Sequence, residues 1–224
     1  MRLNVTKSWS EAVATHFERQ LQRLRSDLLR LGTLVESACQ LAYGVLIERH
    51  LLSVEQLIQR ERDIDRSAQE LNREAIALLT LQAPVAEDLR FLVMLSHLCR
   101  DLERIGDYAL EIGRAGQTLL RYPPPPCLED IRVMFQRSQL LLSEALSAIA
   151  NLDPEVGLAL ANCDDAVDAD YQRLYERLCT PLDPQEPVEL RLILLLLIRN
   201  LERIGDHAVT IGQRVCFIVR GEDP

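Results

Sequence analysis

The stretch Arg100-Asp-Leu-Glu-Arg-Ile-Gly-Asp107 occurs twice in this chain, and its second copy is Arg199-Asn-Leu-Glu-Arg-Ile-Gly-Asp206. The likeness continues with the same spacing to Ile112-Gly113 and Ile211-Gly212. A repeat of this kind predicts that the chain contains two copies of one structural unit. Each copy has a Glu and an Asp four residues apart, so the two carboxylates share one face of a helix.

The composition of the 224-residue chain favours helices packed on helices, because aromatic residues make up only 4% and Leu and Ala are abundant. The net charge of −9 argues against a protein that binds nucleic acid. The longest apolar run, Leu192 to Ile198, is too short to span a bilayer. We therefore expect no membrane insertion, and we interpret this run as core or as a subunit contact.

The cysteines indicate a reduced compartment. The chain has six cysteines, with no close pairs and no metal-finger spacing. Most of them lie in apolar helical patterns, where a free cysteine acts as a small hydrophobic residue. The first residues contain no apolar segment of signal-peptide length. These features predict a cytoplasmic protein.

Apolar periodicity predicts an all-α fold of two tandem three-helix bundles. The first helix is expected from about Ser10 to His50, and the second begins at Ser53. A turn at Ala83-Pro84 precedes the third helix, with Pro84 in the first helical turn. The four prolines from Pro123 to Pro126 end this first group of helices.

The prolines divide the chain into a first three-helix repeat (1–122), a proline linker (123–127) and a second three-helix repeat (128–224). In the second repeat, helix four covers Leu128 to Asn151, and helix five begins at the cap Asp153-Pro154 and ends near Cys179. Asp183 to Pro187 forms a turn, and helix six ends near Val219.

Four acidic pairs with a spacing of four residues are the candidate site. Like charges at this spacing destabilise a helix by a few tenths of a kcal/mol. Two neighbouring helices that each present such a pair create an oxygen-lined groove suited to Mg²⁺, Ca²⁺, Mn²⁺ or iron. The pairs are Glu61 with Asp65, Glu103 with Asp107, Asp164 with Asp168, and Glu202 with Asp206.

An arginine–carboxylate network is the alternative to a metal site. Arg100 and Arg104 stand three residues before Glu103 and Asp107, and Arg199 and Arg203 repeat this arrangement. His97 and His207 are weaker candidates that we interpret as structural. The chain has no nucleophile motif, no glycine-rich phosphate loop and no Glu-x-x-His pair, which favours a protein that is not an enzyme. A carboxylate-bridged metalloenzyme of the helical-bundle type stays as the second hypothesis.

These motifs resemble the PhoU family of phosphate-uptake regulators over nearly the whole chain. The residues that carry the resemblance are Leu102–Asp107, Leu201–His207, Asp63-Ile-Asp65, Gln82-Ala-Pro84 and Asp88-Leu-Arg90. The resemblance implies two three-helix bundles related by an internal pseudo-twofold axis. It also implies metal clusters held by the four acidic pairs, with the metal (Mg, Mn, Ca, Zn or Fe) left open. Asp101 resembles a further acidic family position, but its counterpart is Asn200.

The resemblance also implies a function. Members of this family act as cytosolic negative regulators of phosphate-starvation signalling and are adaptors rather than enzymes. They link a phosphate ABC transporter, through its ATPase subunit, to a phosphate-sensing histidine kinase, and they often form homodimers. We therefore expect those two proteins and a second copy of the chain as partners.

Overall fold

The computed structural model describes residues 3–50, 53–180 and 187–222, with side chains described from residue 16 onward and not for residue 53. This part of the chain contains six helices and no strand, so the predicted all-α fold is confirmed. The helices are α1 (Leu3–Leu46), α2 (Ser53–Gln82), α3 (Ala86–Leu119), α4 (Leu128–Asn151), α5 (Pro154–Cys179) and α6 (Val188–Arg220).

Local sequence features such as capping residues and prolines mark several of the helix ends. The predicted bounds of α4 are confirmed, and α5 begins with Pro154 behind an Asp153 cap. One carboxylate oxygen of Asp153 accepts hydrogen bonds from the backbone N–H groups of Glu155 and Val156 at 2.9 and 3.2 Å. The predicted turn from Asp183 lies outside the described residues except for Pro187.

The start of α3 differs from the prediction. Pro84 does not lie in the first helical turn, because α3 begins at Ala86 with Val85 as its N-cap. Ala83 and Ala86 have positive φ angles of 44° and 52°, which interrupt a helical path on both sides of the proline. Pro84 therefore belongs to the connection between α2 and α3.

The helices form two layers. Helix α2 packs on α3, α3 packs on α6, and α6 packs on α5, so these four helices form a row. Helices α1 and α4 contact each other and their own neighbours behind this row. Arg90, near the start of α3, donates to the carbonyl of Ile218 near the end of α6 at 2.7 Å. Tyr122, just after the end of α3, donates to Glu189 at the start of α6 at 2.8 Å, so the two helices are antiparallel.

The buried core follows the apolar periodicity of the helices. Apolar residues three and four positions apart along α6 are buried, and the same holds for α1 and α3. The α6 positions are Leu190, Leu194, Leu197, Leu201, Ile204, Ala208, Ile211 and Val215. Within the run from Leu192 to Ile198, Leu194 and Leu197 are core, whereas Leu192 and Leu196 are 55% and 67% exposed.

All six cysteines are free, and four of them are buried. None of the helices in the described part of the chain combines the length and apolar character needed to cross a membrane.

Candidate metal-binding grooves

The first acidic groove lies between α2 and α3 and contains Glu61, Asp65, Glu103 and Asp107. Gly106 allows the close approach of the two helices, since a Cβ at this position would lie 3.0 Å from Cδ1 of Ile64. The groove carboxylates lie close enough to repel one another. Burial raises the pKa of Glu61, and the negative charges of Asp65 and Asp107 raise it further.

The two α3 carboxylates of this first groove respond to the same surroundings. Burial raises the pKa of Glu103, and Asp65 and Asp107 add to the effect. Burial also raises the pKa of Asp107, although the neighbouring guanidinium of Arg104 opposes the shift. The charged forms of Glu61, Glu103 and Asp107 are therefore disfavoured, and a bound cation would reduce this free-energy cost.

The second acidic groove lies between α5 and α6 and contains Asp164, Asp168, Glu202 and Asp206. Burial raises the pKa of Asp164 to about 6, and the charges of Asp168, Asp206 and Glu202 contribute to the rise. Burial likewise raises the pKa of Glu202, although Arg199 opposes that shift. The carboxylates predicted for each groove are thus brought together by the fold.

Asp164 is the most constrained carboxylate of the second groove. Its Oδ1 atom is buried and has no hydrogen-bond partner. The same atom faces the backbone of α6, where a Cβ at Gly205 would lie 2.5 Å away. A buried carboxylate oxygen without a donor carries a desolvation penalty that a hydrogen bond or a cation would relieve.

Three arginines pair with groove carboxylates as the alternative interpretation predicted. Arg104 pairs with Asp107 at 3.3 Å, Arg203 pairs with Asp206 at 3.2 Å, and Arg199 pairs with Glu202. Within the described residues, Arg100 forms no ion pair with Glu103, and no ion pair is made by the other carboxylates of the two grooves. Those others are Glu61, Asp65, Asp164 and Asp168. The grooves are therefore only partly neutralised by arginine.

The donor set fits a hard divalent cation. All eight predicted ligands carry carboxylate oxygens, and Asp164 Oδ1 is buried with no partner. In the described part of the chain, however, no three His, Cys, Asp or Glu side chains are arranged as they would be around a metal ion. Cation binding would consequently require side-chain rotation, including release of carboxylates from their arginines.

Between the two grooves lies the contact of α3 with α6, which we call the seam. Asp101 is only 5% exposed and faces α6. Its carboxylate accepts a hydrogen bond from Nε of Arg214 at 2.6 Å and lies 3.1 Å from Nδ1 of His207. Asp101 and His207 thus serve the contact between helices, which supports the structural interpretation of His207.

The other contacts of the seam are more exposed. Asn200 donates to a carboxylate oxygen of Glu111 at 2.9 Å. Nε of Arg203 donates to the hydroxyl of Tyr108 at 3.4 Å, and the ring of Tyr108 lies 5.8 Å from that of His207 between centroids. The seam therefore joins residues that are chain neighbours of groove carboxylates on both helices.

Sequence reasoning missed a second buried carboxylate, Asp170 of α5. Its side chain is fully buried, and it pairs with Arg137 of α4 at 2.6 Å and with Arg173 of its own helix. The Arg173 pair has an ordinary helical spacing that could have suggested it. The burial could not be foreseen, because it depends on how α4 packs against α5.

Comparisons with known proteins agree with this architecture. The PhoU domain model matches residues 28–115 and 131–215. The phosphate-specific transport system accessory protein PhoU homolog of Synechocystis sp. is 40% identical over 99% of both chains. The homolog of the same name from Pseudomonas aeruginosa is 32% identical over 96% of this chain and 90% of that protein.

Solved structures show the same fold. The crystal structure of PhoU from Pseudomonas aeruginosa has a TM-score of 0.88 at 31% identity, covering 92% of this chain and all of that one. The phosphate transport system regulatory protein PhoU from Streptococcus pneumoniae has a TM-score of 0.85 at 26% identity, covering 93% of this chain and 99% of that one. The names of these relatives describe accessory or regulatory proteins rather than enzymes. The doubled motif, the fold and these matches together show that the chain is a member of the PhoU family.

Proposed function

We propose that this protein is a cytosolic negative regulator of phosphate uptake and phosphate-starvation signalling. The observation that carries the proposal is the 40% identity, over 99% of both chains, with a phosphate-specific transport system accessory protein. In this proposal the protein acts as an adaptor between the ATPase subunit of a phosphate ABC transporter and a phosphate-sensing histidine kinase.

The row of helices α2, α3, α6 and α5 suits an adaptor. It brings two similar acidic grooves side by side, with the seam between them. An adaptor must present surfaces to two partners, and its own residues need to perform no covalent chemistry. The homodimer expected from the family resemblance stays a prediction, which sedimentation at micromolar concentration would test.

We further propose that the two grooves bind divalent cations. The support is the all-oxygen donor set, the raised pKa values of its carboxyl groups and the unpartnered Oδ1 of Asp164. A bound cation would supply positive charge where four carboxylates repel one another. The protein's part is to hold each carboxylate on a rigid helix and to keep the grooves at a fixed distance.

The regulatory role is tested by deletion of the gene in its host. Deletion should derepress phosphate-starvation genes when phosphate is abundant, and a plasmid copy of the gene should restore repression. Expression of a starvation-induced reporter at high phosphate measures the outcome. Normal repression in the deletion strain would contradict the proposal.

Cation binding is tested by elemental analysis of purified variants. Glu103→Gln with Asp107→Asn should remove the cations of the first groove, and Glu202→Gln with Asp206→Asn should remove those of the second. The matched control is Glu70→Gln with Glu74→Gln, an exposed acidic pair of the same spacing on α2 whose Glu74 faces Arg23 of α1. Unchanged metal content in both groove variants, with helicity intact, would refute cation binding.

A further inference from the structure

The side chain of Arg203 touches both a groove and the seam. One terminal nitrogen lies 3.2 Å from Oδ2 of Asp206 in the second groove. The Nε of the same guanidinium donates to the hydroxyl of Tyr108 on α3 at 3.4 Å. The guanidinium is planar and rigid, so its two contacts cannot change independently.

The partner of Arg203 is a chain neighbour of the first groove. Tyr108 directly follows Asp107, and its ring packs on that of His207 with a centroid distance of 5.8 Å. His207 in turn follows Asp206 and contacts the buried Asp101. A displacement of Arg203 therefore acts on a packed cluster that includes residues of both α3 and α6.

The equivalent arginine of the first repeat lacks this contact. Arg104 pairs with Asp107 at 3.3 Å, as Arg203 does with Asp206. The residue that corresponds to Tyr108 is His207, whose Nδ1 is already used by Asp101, and no hydrogen bond from Arg104 to α6 is present in the described residues. Among the residues that the structure describes, the second groove is thus connected to the seam by its arginine and the first is not.

We propose that Arg203 couples the second groove to the seam, so that a cation on Asp206 weakens the hydrogen bond between Arg203 and Tyr108. The inference rests on cation binding in that groove. A cation and a guanidinium compete for the same carboxylate and repel each other, so binding displaces Arg203. Because such coupling is reciprocal, any partner that breaks the hydrogen bond between Arg203 and Tyr108 raises the affinity of the groove for the cation.

The experiment uses Mn²⁺ as the probe and the full chain with Glu103→Gln and Asp107→Asn, so that only the second groove can bind. Titration calorimetry measures Mn²⁺ affinity, and hydrogen–deuterium exchange measures the protection of α3 around residues 104–112. We expect Mn²⁺ to change exchange in this segment of α3. Adding Tyr108→Phe should keep the ring contact with His207 and abolish most of that response.

Arg203→Gln is the test variant in the same background, and Arg104→Gln, whose partner Asp107 is already replaced there, is the control. Arg203→Gln should raise Mn²⁺ affinity about twofold to fivefold, the range of an exposed ion pair, and remove the response of α3. Arg104→Gln should change neither quantity. Asn200→Ala is the control for a weaker seam, because it removes the hydrogen bond from Asn200 to Glu111 and leaves Arg203 and Tyr108 in place; the response to Mn²⁺ should persist.

Three other outcomes would each contradict a different part of the proposal. If Mn²⁺ binds without altering exchange in α3, or alters it equally in Tyr108→Phe, the coupling is wrong and cation binding stands. If Mn²⁺ binds the wild-type protein but not the background variant, the second groove is not a site and the coupling falls with it. If no Mn²⁺ binds to either protein, divalent cation binding by the grooves is itself refuted.

Discussion

The two copies of the octapeptide differ at one residue, and the fold uses that residue in opposite ways. Asp101 of the first copy is buried in the seam against Arg214 and His207. Asn200 of the second copy lies at a more exposed part of the seam, where it bonds Glu111. The seam is therefore asymmetric although the motif is repeated, and its buried charge lies at the Asp101 end.

The identical part of the motif also meets different neighbours. Cβ atoms at Gly106 and Gly113 would meet the side-chain ends of Ile64 and Leu57 on α2. In the second copy, a Cβ at Gly212 would lie 2.6 Å from the backbone carbonyl of Gly157 on α5. The α5–α6 pair is thus packed backbone to backbone. The motif supplies one helix of each groove, and the residues of the partner helix determine how closely the two helices pack.

The largest effect should come from the residue that distinguishes the copies. Asp101→Ala leaves Arg214 and His207 without their carboxylate in a mostly buried position, which should lower the free energy of unfolding by about 3 kcal/mol. Asn200→Ala removes one partly exposed hydrogen bond and should cost about 1 kcal/mol. Urea denaturation followed by circular dichroism measures both values. Equal losses would show that the seam is energetically symmetric.

The apolar part of this seam could be read from the sequence, but its charges could not. Leu197, Leu201 and Ile204 are buried as apolar periodicity predicts, because a helix places residues three and four apart on one face. This rule is local. The partners of Asp101 lie more than a hundred residues away on another helix, and no spacing rule predicts a contact between helices whose packing is unknown.

The next largest effect should separate the two helix pairs. Gly212→Ala places a methyl group against the carbonyl of Gly157 and Cδ1 of Leu160, so the backbones must move apart. We expect a net loss of about 2 kcal/mol, because overpacking exceeds the gain of about 1 kcal/mol in helix propensity. Gly113→Ala meets only the end of the Leu57 side chain, which can rotate, and should cost less than about 1 kcal/mol. A thermal unfolding midpoint that falls equally in both variants would contradict this difference in packing.

For the candidate site, the pairing of the carboxylates could be predicted from the sequence, but their burial could not. The spacing of the acidic pairs placed each pair on one helix face, and the repeat placed the pairs in two grooves. The depth of each carboxylate was not predictable, since it depends on the opposite backbone. Both Asp164 and the corresponding Glu61 are half-buried, but only Asp164, of these two residues, has a carboxylate oxygen that is buried against the opposite backbone, at Gly205, without a hydrogen-bond partner.

This difference in depth predicts a pH effect that is larger in the second groove. The pKa of Asp164 in the fold, about 6, lies above its value in the unfolded chain, so the fold binds this proton more tightly. The charged carboxylate therefore destabilises the fold above pH 6, and the penalty disappears as the pH falls below about 4. Asp164→Asn should raise the free energy of unfolding by about 1 kcal/mol at pH 7.5, after allowance for solvent screening, and leave it unchanged at pH 4.

Denaturation in the presence of EDTA at the two pH values checks this prediction without interference from metal. Glu61→Gln is the matched variant of the first groove, and its gain at pH 7.5 should be smaller. If Asp164→Asn destabilises the protein at pH 7.5, the charge of Asp164 must be stabilised by a partner, and the repulsive character assigned to the second groove is wrong.

The smallest effects are expected at the N-termini of α5 and α3. Asp153 caps α5 with hydrogen bonds to two backbone N–H groups, whereas Val85 at the start of α3 supplies no side-chain cap. Asp153→Ala should therefore cost about 1 kcal/mol, and Asp153→Ser should restore most of it. Val85 has the extended backbone of an N-cap and is 76% exposed, so Val85→Ser should stabilise the protein by about 0.5 kcal/mol. If Val85→Ser has no effect, the left-handed Ala86 that follows it, rather than the missing cap, limits the start of α3.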